Sequence, residues 1–282
     1  MATEPARRGR RLHRGTVLRT ERLTPHMIRV VLSGAGLAEF GAGEFTDHYV
    51  KLLFPRPGAV YPEPFDLERV RAEMPREQWP ATRTYTVRAW DERARELTID
   101  FVHHGDKGLA GPWAAGARPG DEILFNGPGG AYAPRAGAGW HLLAGDESAI
   151  PAIAASLERV PEGVPVRAFI EVAGPEEEQD LAAPGGAEVV WLHRGGGQVG
   201  DLLVEAVQKL GFPDGEVHAF VHGEAGFVKA LRRHLRVERG LPLERLSISG
   251  YWRRGRDEDG WQSGKREWNR RVEQEEAAAL GG

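Results

Sequence analysis

Residues 83–88 read Arg-Thr-Tyr-Thr-Val-Arg, a β-type run whose alternation puts Arg83, Tyr85 and Val87 on one face and Thr84, Thr86 and Arg88 on the other. A guanidinium, a flat phenol and a hydroxyl together suit a flavin nucleotide: charge for a phosphate, a ring to stack on, and a hydrogen bond for the isoalloxazine edge. Tyr and Thr also favour strands for packing reasons alone, so the run needs context. Further along, Phe101 and Val102 end another strand, His103 and His104 follow, and Gly105, Gly108 and Gly111 interrupt a turn that could open a helix. The start of such a helix, at Gly108, Leu109 and Ala110, presents unpaired N–H groups and a positive dipole end to a pyrophosphate. His104 is the polar residue nearest that seat, as a ligand or as a structural histidine. The string Gly127-Pro128-Gly129-Gly130-Ala131-Tyr132 ends in a ring that either stacks on an adenine or packs on the rim of its domain.

A second set lies in Leu142–Ile153, which reads as strand, small loop and helix, with Pro151 in the first helical turn where its missing N–H costs nothing. The loop residues Asp146, Glu147 and Ser148 stand at the carboxyl end of a parallel strand, where open α/β sheets bind ligands. They serve either a nucleotide or merely the helix N-terminus. Arg194 ends the run Val189–His193 and either pairs with the 2′-phosphate of NADPH or is an exposed charge. Gly195-Gly196-Gly197-Gln198-Val199-Gly200 satisfies G-x-G-x-x-G, yet it sits in the third unit, and Glu216 falls before the next strand rather than at its end. It reads as a flexible loop.

These residues need a scaffold, and two rhythms supply it. Thr16–Leu18, Met27–Leu32, His48–Phe54, Thr84–Ala89, Leu97–Val102 and Glu122–Phe125 are six short strands without long helices, the pattern of a small closed barrel. The proline-rich stretch Pro55–Pro80 is a long insertion with one helical turn near Leu67–Glu73. Beyond Ala136 strands alternate with helices: strands at Trp140–Leu143, Val166–Glu171, Val189–His193, Val217–Val221 and Leu246–Gly250, helices at Ile150–Val160, Leu202–Leu210 and Gly226–Val237. That alternation makes a parallel sheet covered on both faces. Lys265–Leu280 is a further helix docking through Trp268 and Val272. The expected division is a basic arm over 1–14, a barrel domain over 15–136, and an α/β domain with a C-terminal helical extension over 137–282.

The 282 residues are 41 % hydrophobic and 28 % charged, ordinary globular values, and the formal charge of −4 is too balanced for a nucleic-acid coat. Without cysteine there is no disulfide, thiol nucleophile or Cys-ligated metal, so redox chemistry requires an organic cofactor or a His/carboxylate metal site. The histidines form no H-E-x-x-H, and no metal site is expected. The basic start is followed by no apolar h-region and no run of about 18 apolar residues occurs, so a cytoplasmic protein without a membrane span is expected.

The strings RTYTVRAWD, DFVHHGDKGLAGPWA, GDEILFNGPGG, LLAGDESAIPAIAA, WLHR, HGEAGFVKALRRHL and SGYWRRG, in this order, resemble the siderophore-interacting protein family of flavin-dependent ferric-siderophore reductases, within the ferredoxin-NADP reductase-like superfamily. The resemblance implies a two-domain β plus α/β fold: a six-stranded antiparallel barrel carrying FAD, then a parallel-sheet domain for NADPH or NADH. It implies that Arg83 binds a flavin phosphate, Tyr85 packs on the isoalloxazine and Thr86 reaches its polar edge. Thr84, Phe101 and Val102 are expected to line the same site. By the same likeness His104 and the Gly108-Leu109-Ala110 turn take the pyrophosphate, Tyr132 lies near the adenine, and the Asp146-Glu147-Ser148 loop meets the nicotinamide nucleotide. Trp252 covers the flavin edge or fills core. A ferric siderophore is bulky and commonly anionic, so Lys51, Arg135, Arg253 and Lys265 are expected to form an open basic surface for it. The expected protein is a monomeric reductase that takes hydride from NAD(P)H and passes single electrons to Fe(III). The alternatives are a reductase serving a separate carrier such as ferredoxin, and a protein that only binds the siderophore.

Overall fold

The six strands of the first half pair until no edge is left. In the computed structural model, which describes residues 11–281, they are β1 (Leu12–Thr24), β2 (Met27–Ser33), β3 (Tyr49–Phe54), β4 (Ala81–Asp91), β5 (Glu96–Val102) and β6 (Glu122–Gly129). They close a barrel in the order β1-β2-β5-β4-β3-β6, every pairing antiparallel. Most of the basic arm lies outside the described residues, and its last residues, Leu12–Arg14, already belong to β1. That strand is much longer than Thr16–Leu18. Its first part pairs with β6 and the rest with β2, and register shifts at Val17/Arg19 and Arg22/Thr24 bend it round the barrel. Leu32, Leu52, Leu97, Ile99, Phe101 and Phe125 fill the interior. The insertion after β3 carries α1 (Leu67–Glu73), capped by the Asp66 carboxylate. Helix α2 (Ala110–Gly116) follows β5.

The second half is β7 (Trp140–Asp146), α3 (Ile150–Leu157), β8 (Val166–Val172), β9 (Ala187–His193), α4 (Asp201–Lys209), β10 (Val217–Glu224), α5 (Ala225–Arg233), β11 (Leu246–Trp252) and α6 (Glu258–Gly281). Its sheet runs β11-β10-β7-β8-β9 and is parallel throughout. The central strands β7, β8 and β10 are buried at nearly every position because both faces are covered. Leu143, Ala168, Ile170 and Phe220 meet α3, whereas Leu142, Ala144, Ala219 and Val221 meet α4 and α5. Helix α6 begins well before the expected Lys265. Its far half is fastened to α5 and the turn that follows it: Glu276 accepts from Arg232 at 2.5 Å and from Arg236 of that turn at 2.8 Å, and Lys229 pairs with Glu275 at 2.6 Å. Among the described residues no helix is long and apolar enough to cross a membrane.

The halves are joined by packing and by polar contacts. Met27 and Tyr132 enter the apolar cluster around α3, Arg88 of β4 pairs with Glu158 at 2.5 Å, and the Thr46 and Ser156 hydroxyls lie 2.8 Å apart. Buried Glu177 accepts from the Thr24 hydroxyl, the His26 N–H and the His26 ring. Burial alone would raise this carboxyl, but the hydrogen bonds outweigh it and hold it below its usual range. A lowered carboxyl contributes stability above its unfolded pKa and loses it as pH falls through the folded value. Glu177→Gln is therefore expected to cost about 1–2 kcal/mol near neutral pH, with the gap from the parent closing in acid. Denaturant unfolding across a pH series measures this, and equal stabilities at neutral pH would mean that the contact does not fasten the halves.

Candidate functional site

Strand β4 holds the first set. Tyr85 and Val87 pack toward the barrel core, with the Tyr85 ring 4.4 Å from that of Phe101, and burial pushes its phenol up. Phe101 is fully buried between Tyr85 and Trp113 and acts as the floor beneath Tyr85 rather than as a lining residue. Thr86 points across the domain boundary, where its side chain meets the Tyr251 hydroxyl of β11. Thr84 is exposed, and its N–H donates to Glu258 Oε1 at 2.9 Å. The Arg83 guanidinium, 11 % exposed, donates to Asp259 at 2.8 Å and lies 3.4 Å from Glu258. Both acids belong to the first turn of α6.

The glycine turn after β5 is open. Gly105 and Gly108 have φ of 63° and 81°, and no atom lies within 4 Å of a side chain built on either. Helix α2 starts without a capping side chain, so its first N–H groups, beside Leu109 and Ala110, lack the usual side-chain acceptor. His104 faces elsewhere. Its ring is 6.1 Å from that of His26, burial lowers its pKa, and Glu147 and Arg194 are among its charged neighbours. It belongs to the seam between domains, which Val102 also reaches by packing on the α3 cluster.

At the carboxyl edge of the parallel sheet Asp146 is an internal hub. It accepts from the Ser148 N–H at 2.9 Å, the Ser148 hydroxyl at 2.5 Å, the Glu224 N–H at 2.8 Å and the Trp252 indole at 2.8 Å. It is completely buried, and burial raises its carboxyl to about 6. Gly223 is required beside it: at φ 140° a Cβ would stand 2.7 Å from Asp146 Oδ2 and 2.6 Å from the Phe227 ring. Arg194 is not an exposed charge. Its side chain, 13 % exposed, turns inward to Glu147 at 2.6 Å. The neighbouring Glu171 accepts from the Gly200 and Leu203 N–H groups and so caps α4. The glycine string lines, through Gln198, Val199 and Gly200, a cavity of about 800 Å³ between α4, α5 and α6 that also holds Arg253 and Trp268.

The structure divides the basic set expected to form one surface. Lys51 and Lys265 are charge neighbours of one another, and burial followed by Lys51 lowers the Lys265 pKa; the Lys265 ammonium donates to the Ser249 hydroxyl at 3.2 Å. Arg253 lines the cavity. Arg135 binds the Glu244 carbonyl at 2.7 Å, and its N–H meets His218 near the amino end of β10, the end of the sheet remote from Asp146. Tyr132 also departs from expectation. It is 2 % exposed, with His218 and Phe220 rings at 4.8 and 5.0 Å, and no open face is left for an adenine. Sequence reasoning missed Tyr251, Glu224, Glu258 and Asp259. The string SGYWRRG contains the first of these, but nothing in the spacing signals that Glu258 and Asp259 reach β4. Among the described residues no group of three His, Asp or Glu could hold a metal ion.

Residues 16–132 match the siderophore-interacting FAD-binding domain family, and residues 138–255 match the siderophore-interacting protein family. The chain is 34 % identical to the ferric vibriobactin reductase ViuB of Vibrio cholerae, over 86 % of this chain and 90 % of that one. It is also 34 % identical to the NADPH-dependent ferric-chelate reductase of Escherichia coli K12, over 84 % and 91 %. The crystal structure of a siderophore utilization protein from T. fusca superposes with a TM-score of 0.76 at 42 % identity, covering 88 % of this chain and 94 % of that one. A closed barrel bearing the Arg83–Thr86 strand, a parallel sheet behind it and these matches across both halves agree: the chain belongs to the siderophore-interacting protein family.

Proposed function

We propose that this protein is an FAD-dependent reductase of ferric siderophores that uses NADPH or NADH and releases Fe(II) for iron assimilation, working as a monomer in the cytoplasm. The observation that carries the reading is the pairing of Arg83, Tyr85 and Thr86 on one strand with an uncapped, unobstructed glycine turn at the start of α2. Those residues fit a dinucleotide-sized flavin: Arg83 would hold a phosphate, the Gly108–Ala110 turn the pyrophosphate, Tyr85 the isoalloxazine face and Thr86 its polar edge. The names of the Vibrio and Escherichia relatives support iron as the acceptor and NADPH as a donor. FAD, when bound, converts a two-electron hydride into the single electrons that Fe(III) accepts.

The chain's own residues then position the reactants. Trp252, held by Asp146, and Tyr251, beside Thr86, would border the flavin edge from the second domain. The nicotinamide nucleotide would approach along the carboxyl ends of β7, β10 and β11, past Ser148. Arg194 would read a 2′-phosphate only on leaving Glu147, so the proposal covers both nucleotides. Lys51 and Lys265 would draw an anionic siderophore to the barrel side of this edge, with Arg253 farther along.

The test is anaerobic mixing of the purified protein with NADPH, and separately NADH, followed by a ferric siderophore and an Fe(II) chelator. Bleaching of a bound FAD and then appearance of chelated Fe(II) is expected. Reduction only by a ferredoxin would reassign the donor. Siderophore binding without any Fe(II) would contradict a reductase.

A further inference from the structure

We infer that the first turn of α6 is an internal occupant of the flavin-phosphate seat: the Glu258 and Asp259 carboxylates hold the groups on β4 that an FAD phosphate must take, and FAD binds by displacing them. The inference rests on the placement of a flavin phosphate at Arg83.

The geometry is that of an anion site already filled from within. Asp259 Oδ1 accepts from Arg83 Nη1 at 2.8 Å, Glu258 Oε2 lies 3.4 Å from Arg83 Nε, and Glu258 Oε1 accepts the Thr84 N–H at 2.9 Å. One guanidinium and one backbone N–H are donors of the kind a phosphate uses, and here two carboxylates satisfy them. Arg56 adds a second cation to the same acid, 3.4 Å from Asp259. Two anions cannot share these donors without like-charge repulsion in a half-buried site, so carboxylates and phosphate compete. The competitor is tethered and cannot diffuse away. Glu276 between Arg232 and Arg236, together with buried Trp261 and Val272, keeps α6 on the second domain. Release of the first turn therefore need not unfold the helix.

The groups facing Glu258 make the contact pH-sensitive. Burial raises its carboxyl to about 7, Asp259 adds to the rise, and the Thr84 N–H, Arg83 and Lys51 oppose it. Lys265, itself a charge neighbour of Lys51, stands on the same helix. As pH falls through about 7, Glu258 takes up a proton, its hold on Arg83 weakens, and the phosphate gains the advantage.

The experiment is equilibrium dilution of the holoprotein, with free FAD read by its fluorescence, for the parent and for Glu258→Gln/Asp259→Asn. Competition predicts that the double variant binds FAD about fivefold more tightly, the upper scale for a partly exposed ion pair. It also predicts that the parent's affinity rises from pH 8 to about pH 6 whereas the variant's does not. Thermal unfolding of the variant checks that the substitutions leave the fold intact. Unchanged or weaker FAD binding in a folded variant would overturn the inference, because the acids would then be bystanders or would orient Arg83 for the phosphate. Failure of the underlying reading looks different: Arg83→Ala would retain FAD as tightly as the parent.

Discussion

Replacement of Arg83 by alanine is expected to weaken FAD retention by about 1.5–3 kcal/mol, roughly 10- to 150-fold in dissociation constant, the scale of a charge-assisted hydrogen bond to a phosphate. The effect is large because the guanidinium is mostly shielded from solvent and is held against β4 by its bond to the Thr82 carbonyl, so its bond to an anion is less screened than that of a surface arginine. The same substitution also loosens the first turn of α6, which keeps the Thr84 N–H and Arg56 as partners. Glu258 would lose a cationic partner while remaining largely buried, which moves its carboxyl further up. Flavin fluorescence on dilution of the purified variant measures the loss. Thr86→Val is the comparison on the same strand: it removes the hydroxyl proposed for the isoalloxazine edge, not the phosphate contact, and should leave FAD bound while altering its reduction.

The second large effect is expected at Asp146. Truncation to alanine strands the buried Glu224 N–H and the half-buried Ser148 and Trp252 donors, at a cost of about 2–4 kcal/mol. The parent's dependence on pH also changes. Burial raises this carboxyl to about 6, so the folded chain binds the proton more tightly than the unfolded one. This group's contribution to stability then falls as pH rises from about 4 to about 6 and is flat above. In Asp146→Ala that contribution to the slope disappears. Urea unfolding across this range, followed by the total tryptophan emission, distinguishes the hub from a replaceable acid; a loss below about 0.5 kcal/mol would show the four bonds to be dispensable.

Much of the fold was legible because periodicity follows burial. The barrel strands β2, β3 and β5 and all five parallel strands were found where apolar residues alternate or run continuously. The full length of β1 is hidden because its exposed part, Arg19-Thr20-Glu21-Arg22, is polar on successive residues and shows no alternation. α6 was cut short because Gly260 and Gly264 lower helix propensity at its start. That cut removed Glu258 and Asp259 from view.

The site was legible wherever one segment carries it. The Arg83–Thr86 strand and the glycine turn each need only local rules. What depends on distant partners was not readable: Arg194 turning to Glu147, Tyr132 buried on His218, and Arg135 drawn to Glu244. Local sequence shows the charge or ring of such a residue but not which way tertiary contacts turn it.

The proposed function requires delivery of single electrons from a bound flavin to siderophore-held Fe(III). The direct measurement is a single turnover: the holoprotein is photoreduced without oxygen, mixed with a ferric siderophore and an Fe(II) chelator, and followed by visible absorbance. Return of the oxidised flavin spectrum with about two chelated Fe(II) per flavin is expected. A flavin that stays reduced beside an unreduced ferric siderophore would contradict it.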